Sequence, residues 1–136
     1  MLFTNQFLKI KKSTIPGCGN GLFTQEIIPK GITITEHTGK ITTWKDADIS
    51  NHNPYIFYVT RNHVIDARDQ HDSYARFVND ASGYKRLTGF SNNSKYEVIN
   101  KRVFIIATKD ISAGSEIFVG YGKEYWEAMK ERLGAE

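Results

Sequence analysis

The sequence predicts one mostly β domain with short helical turns and a helix at its C-terminal end. Short runs rich in Ile, Val, Phe, Tyr and Thr recur along the chain, each bounded by Gly, Pro, Asn or Asp. The 136 residues are one domain's worth, and 40% hydrophobic with 24% charged side chains is an ordinary balance for a packed chain. A helix-like stretch of any length occurs only near the end.

Taken in order, strands are expected at residues 7–11, 32–36, 55–60, 64–66, 96–100, 103–108 and 116–119. Pro29-Lys30-Gly31 and Ser112-Ala113-Gly114 signal turns ahead of two of them. Asn100-Lys101 reads as a tight hairpin connection. Residues 43–49 and 73–78 suit short helical turns, and 81–94 is polar and glycine-containing, hence a loop. Residues 123–133 have helix-forming side chains, with Gly134 as the stop and Trp126, Met129 and Leu133 toward one side. No repeat or linker divides the chain, so 1–136 is expected to be a single domain with a core of about 7–126.

Composition removes several function classes. Cys18 is the only cysteine, which excludes an internal disulfide and a cysteine-rich zinc cluster. The first residues lack the apolar core of a signal peptide, because Asn5 and Gln6 interrupt them, and no run approaches the ~18 apolar residues of a membrane span. An intracellular, reducing compartment is therefore expected, with no membrane partner. Net charge is +3 and the basic residues are scattered, so direct nucleic-acid binding is not expected. Asp66, Asp69, His71 and Asp72 do not have EF-hand spacing, and His63 and His71 are not an i, i+4 pair, so no metal site is expected.

Three segments carry chemistry. The first is GCGNGLF at 17–23, where glycines allow the backbone to approach a ligand closely. Residues 24–31 are short and turn-terminated, so the strand–loop–helix context of a dinucleotide site is missing. A plain hairpin turn explains these glycines equally well. The second is VIDA at 64–67, with ARFVND at 75–80. Alone it is an apolar strand and a polar turn. The third is DISAGSEIFVGYG at 110–122, then Tyr125 and Trp126. Tyr121 lies between two glycines, so its neighbours in sequence give the phenol little cover.

In this order and spacing the three segments resemble the SET-domain lysine methyltransferases, over roughly residues 7–126. The short length and the Tyr-Gly-x-x-Tyr-Trp ending are most similar to small virus-encoded or bacterial stand-alone members. The resemblance implies a β-clip fold with a pseudo-knotted C-terminal segment. It implies S-adenosylmethionine as cofactor and the lysine of a protein, a histone tail among the candidates, as substrate. It makes Tyr121 the catalytic residue. It assigns the cofactor to Gly19, Asn20, Gly21, Leu22, Arg76, Asn79, Asp80, Tyr121 and Trp126, with Trp126 stacking on adenine. Val119, two residues before Tyr121, takes the position that influences how many methyls are added. Tyr58 is a candidate for the channel wall or else a buried structural tyrosine. Localisation would be nuclear in a eukaryote or eukaryotic host and cytoplasmic otherwise, and a homodimer is compatible with the family.

The chain departs from the family pattern at named positions. Asp80 and Ala81 replace the usual His-Ser, so at residue 80 the backbone contacts are kept and those of the histidine are not. Asn92-Asn93-Ser94 replaces Pro-Asn-Cys after a longer loop, and His37 stands where tyrosine is common. Asp80 and His37 motivate a rival reading, a catalytically inactive SET-fold module that binds proteins. A third reading, a small β protein binding single strands through exposed aromatics, predicts steeply salt-dependent binding. A basic substrate tail calls for local acidity, for which Glu26, Glu36, Asp46, Asp48 and Asp66 are the candidates.

Overall fold

The computed structural model describes residues 5–47, 56–68, 73–81 and 91–120. Within them the strands are β1 (Leu8–Lys12), β2 (Asn20–Thr24), β3 (Thr33–His37), β4 (Lys40–Thr42), β5 (Ile56–Thr60), β6 (His63–Asp66), β7 (Ser94–Ile99), β8 (Arg102–Ala107), β9 (Glu116–Ile117) and β10 (Val119–Gly120). They form three small sheets, ordered β1-β2-β9, β10-β7-β8-β3 and β4-β6-β5. The fold is mostly β, as the sequence predicts.

Local sequence accounts for the connections. The β7–β8 hairpin keeps register from Ser94↔Ala107 to Ile99↔Arg102. Its turn residues Asn100 and Lys101 both have positive φ, 51° and 64°, the requirement of a two-residue type I′ turn. Gly31 (φ 90°) and Gly114 (φ 86°) sit third in four-residue turns, where a positive φ favours glycine. These two turns lie side by side. The Lys30 amide donates to Asp110 Oδ1 at 2.8 Å, and Ile28 and Ile111 exchange backbone bonds at 2.9 and 2.8 Å. Tyr74–Phe77 is the expected short helical turn, of 3-10 type. Of 43–49, the described part turns at 44–46, with the Asp46 amide donating to Thr43 Oγ1 at 3.2 Å; residues 48 and 49 lie outside the described set.

Two strands were not expected. β2 occupies the second half of the glycine segment and is the central strand of its sheet, pairing Leu22 with Ile10 on one side and Ile117 on the other. β4 is three residues long and pairs with β6 from Lys40↔Asp66 to Thr42↔Val64. The expected strand at 116–119 is divided at Phe118 into β9 and β10, which join different sheets. Most of the expected loop at 81–94, the C-terminal helix, Tyr121 and Trp126 lie outside the described residues.

The main core is aliphatic. Leu22, Ile28, Ile34, Ile105, Ile117 and Val119 are all 0% exposed and pack in one cluster, drawn from the first two sheets except for Ile28, which bridges Ile111. Burying each such side chain contributes roughly 1.5–3 kcal/mol. Ala75 and Val78, at the 3-10 turn, join the same cluster, and so tie Asn79 to the sheets.

The closing segment joins two sheets and takes an edge position in each. Glu116–Ile117 pairs antiparallel with β2, Phe118 bridges Asn79 in parallel, and Val119–Gly120 pairs in parallel with Ser94 and Lys95. These pairings tie the closing segment to β2, Asn79 and β7. No helix among the described residues is long and apolar enough to cross a membrane.

Candidate active site

The glycine segment begins as the loop of the β1–β2 hairpin. The Ser13 amide donates to the Gly19 carbonyl at 2.8 Å and closes it. Gly17 (φ 80°) and Gly19 (φ 64°) have left-handed backbones, and nothing lies within 4 Å of where a Cβ would stand. The hairpin explanation of these glycines is therefore correct. The same geometry leaves main chain bare toward the outside, as close approach of a ligand requires.

Beneath this loop lies Glu116, only 5% exposed. Its Oε2 accepts from Ser13 Oγ at 2.7 Å and, at a longer 3.4 Å, from Asn79 Nδ2. Its Oε1 accepts from the Thr14 amide at 2.8 Å and Thr14 Oγ1 at 2.6 Å. A buried acid is tolerated when its oxygens are satisfied in this way. The carboxylate also occupies the space that a side chain at residue 21 would need: a Cβ built on Gly21 would overlap Glu116 Oε2. Glycine at 21 in a strand is thus a packing requirement.

Asn79 links the second segment to the first. Its Nδ2 donates to the Asn20 carbonyl at 3.1 Å, and its own carbonyl accepts from the Val119 amide at 2.9 Å. On the other flank of the closing segment, Asn93 Nδ2 donates to the Glu116 carbonyl at 3.0 Å and Asn93 Oδ1 accepts from the Phe118 amide at 2.9 Å. The Phe118 carbonyl accepts from Ser94 Oγ at 2.7 Å and the Ser94 amide at 3.0 Å. The backbone that leads into residue 121 is thereby held from both sides.

The other expected site residues are more widely distributed. Leu22 is fully buried in the core, so it offers a ligand only main chain. Asp80 Oδ1 accepts from Asn92 Nδ2 at 3.0 Å. The Arg76 guanidinium donates to the Arg68 carbonyl at 2.8 Å and lies 5.1 Å from the Phe77 ring centre. The Val119 side chain is 0% exposed within the main core. Tyr58 is half-buried in β5, edge-on to Trp44 at 5.6 Å, in a different sheet from Asn79's partners. His37 is 3% exposed and packs among aromatic rings, 6.1 Å from Phe57 and 6.2 Å from Tyr96.

Of the candidates for local acidity, Glu36 is balanced by Arg102 through bonds of 2.8 and 3.0 Å, an exposed pair that adds little stability. Asp66 Oδ1 is engaged by the Arg68 amide at 2.9 Å, and Asp48 lies outside the described residues. Partial burial, and then the charge of Glu116, push the Cys18 thiol above its ordinary pKa, so at neutral pH it is a poor nucleophile.

Sequence reasoning missed the parts played by Glu116, Ser13, Thr14 and Asn93. One signal was available for the first. Glu116 is two residues from Phe118 and so shares its face of an extended segment, where a large aromatic side chain points to burial.

Comparison with known proteins gives a consistent result. A model described as SET domain matches residues 19–122. Histone-lysine N-methyltransferase EZH2 of Chaetomium thermophilum is 29% identical over 140 residues, covering 92% of this chain and 9% of that protein's length. An active polycomb repressive complex 2 in the basal state superposes with a TM-score of 0.69 at 27% identity, covering 85% of this chain and 15% of that one. The methyltransferase domain of human PR domain-containing protein 2 gives 0.63 at 22% identity, covering 83% of this chain and 75% of that one, a likeness of fold alone.

Proposed function

Since the chain belongs to the SET-domain family, we propose that it transfers methyl groups from S-adenosylmethionine to lysine side chains of a protein, with a histone tail as the candidate substrate. One observation carries this reading. Asn79, the Asn20 carbonyl and Glu116 meet under a bare glycine loop, and the closing segment that bridges Asn79 at Phe118 leads in sequence to Tyr121.

The donor set fits the cofactor. Nδ2 of Asn79 faces two oxygens, which leaves Oδ1 as an acceptor for an ammonium group, and the main chain of Gly19 and Asn20 has no side chain standing over it at residue 19. Asn79 and the backbone of Asn20, Leu22 and Asp80 would hold the amino-acid end, and Trp126 would cover the adenine. When bound, the cofactor supplies a methyl on a sulfonium, with a positive charge that repels a protonated amine.

The protein's own task is alignment and dehydration. A free lysine has a pKa near 10.4, and burial in an apolar channel disfavours its charged form, so no strong side-chain base is needed. Tyr121 would hold the amine by its hydroxyl, while backbone carbonyls near the reacting carbon make weak C–H···O contacts. Fixing both partners in line is worth roughly 7–11 kcal/mol.

The test is incubation with labelled S-adenosylmethionine and an array of histone and other peptides, read by mass spectrometry. Methylated lysine is expected; the Val119 side chain lies within the main core, so the number of methyls added is not assigned to it. Cofactor binding without any methylated product would favour the inactive binding module.

A further inference from the structure

We infer that Glu116 is a positioning residue: it turns the Asn79 amide so that Oδ1 faces the ligand pocket, and thereby selects a ligand carrying an ammonium group there. This rests on the cofactor reading above and adds a residue to it.

Four observations converge on the carboxylate. First, every group that bonds it among the described residues is neutral: Ser13 Oγ, the Thr14 amide, Thr14 Oγ1 and Asn79 Nδ2. A buried acid without a cationic partner is a costly choice if packing were its only purpose, and an apolar residue would complete the strand at lower cost. Second, its donors come from two chain segments far apart in sequence: residues 13–14, at the base of the loop that carries Gly19 and Asn20, and Asn79.

Third, the orientation of an asparagine amide is decided by its neighbours. Here the neighbours on one side are both oxygens, the Asn20 carbonyl at 3.1 Å and Glu116 Oε2 at 3.4 Å. The flipped amide would set oxygen against oxygen twice. Oδ1 is therefore left facing the other way, as an acceptor. Fourth, the carboxylate fills the site of the missing side chain at Gly21, so the same group sets both the loop above and the amide beside it.

The substitution Glu116→Gln keeps the shape but presents a donor where an acceptor stood, which releases or turns Asn79. Calorimetry would use two probes, S-adenosylmethionine and its analogue with hydrogen in place of the α-amino group. The wild-type protein is expected to prefer the parent compound. Glu116→Gln is expected to weaken the parent about tenfold and the analogue less than about twofold, the size expected when a hydrogen bond to a charged group is lost. In a protein already carrying Asn79→Ala, the same change should add nothing. Should Glu116→Gln fail to fold, Glu116→Asp keeps the acid but withdraws it from Asn79, and the same selective loss is expected. An equal loss for both ligands, or no loss for either, would overturn the inference, because a purely structural carboxylate does not sense the ligand's charge. A wild-type protein that binds neither compound would sink the cofactor reading itself, and this inference with it.

Discussion

Tyr121→Phe is expected to slow methyl transfer by about 100-fold or more, the scale of losing one preorganised hydrogen-bonding group at a reacting centre. The ring is retained, so packing changes little. The residues before it are tied down independently of the phenol: Gly120 pairs with Lys95, Val119 with Ser94, and the Phe118 carbonyl takes two bonds from Ser94. Cofactor affinity should therefore stay close to that of the wild-type protein, as should the melting temperature. Single-turnover transfer of labelled methyl, with calorimetry alongside, separates the two quantities. A mutant with unchanged rate would remove Tyr121 from the chemistry. One with a lost rate and equally lost cofactor binding would make it a binding residue instead.

Gly39→Ala is expected to produce the largest loss of stability from a single added methyl group. A Cβ at residue 39 would stand 2.6 Å from the Asp66 carbonyl carbon and 2.8 Å from the Ala67 nitrogen, and would overlap the Asp66 carbonyl oxygen. These are backbone atoms at the end of the central strand of its sheet. Asp66 is paired with Lys40 on one side and Ile56 on the other, and Ala67 is 0% exposed, so the segment cannot retreat. The cost should reach about 3 kcal/mol, the upper end for overpacking. In a domain of this size that lowers the melting temperature by on the order of 10 °C. Gly31→Ala is the control. There the added atom meets nothing within 4 Å, and only the positive φ of 90° is penalised, by roughly 1 kcal/mol. Equal shifts for the two variants in a thermal melt would contradict the overlap at Gly39 as the cause.

Local chemistry made much of the architecture legible. β3, β5, β7 and β8 fall within two residues of their expected positions, because branched and aromatic runs bounded by turn residues suit a pleated, half-buried surface. The I′ turn at Asn100-Lys101 and the glycine turns at 31 and 114 follow from backbone preference alone. β2 was hidden because Gly19 and Gly21 suppress any strand signal; the strand exists because Glu116 supplies from across the fold the bulk that Gly21 lacks. β4 was hidden by its length, three residues, and by burial on neither face: Lys40 and Ile41 are exposed.

The sequence by itself determined the class of the fold, its turns, and the order of three segments whose resemblance pointed to the SET family. Only the tertiary structure decided which groups meet at the site. The contact of Ser13 with Glu116 joins residues 103 positions apart, and that of Asn79 with Asn20 joins residues 59 apart. Strand and turn preferences act over a few neighbouring residues, so they carry no record of such pairings. The meeting is produced by burial, which draws β2, the 3-10 turn and the closing segment onto one aliphatic core and leaves their polar atoms facing one another at its edge.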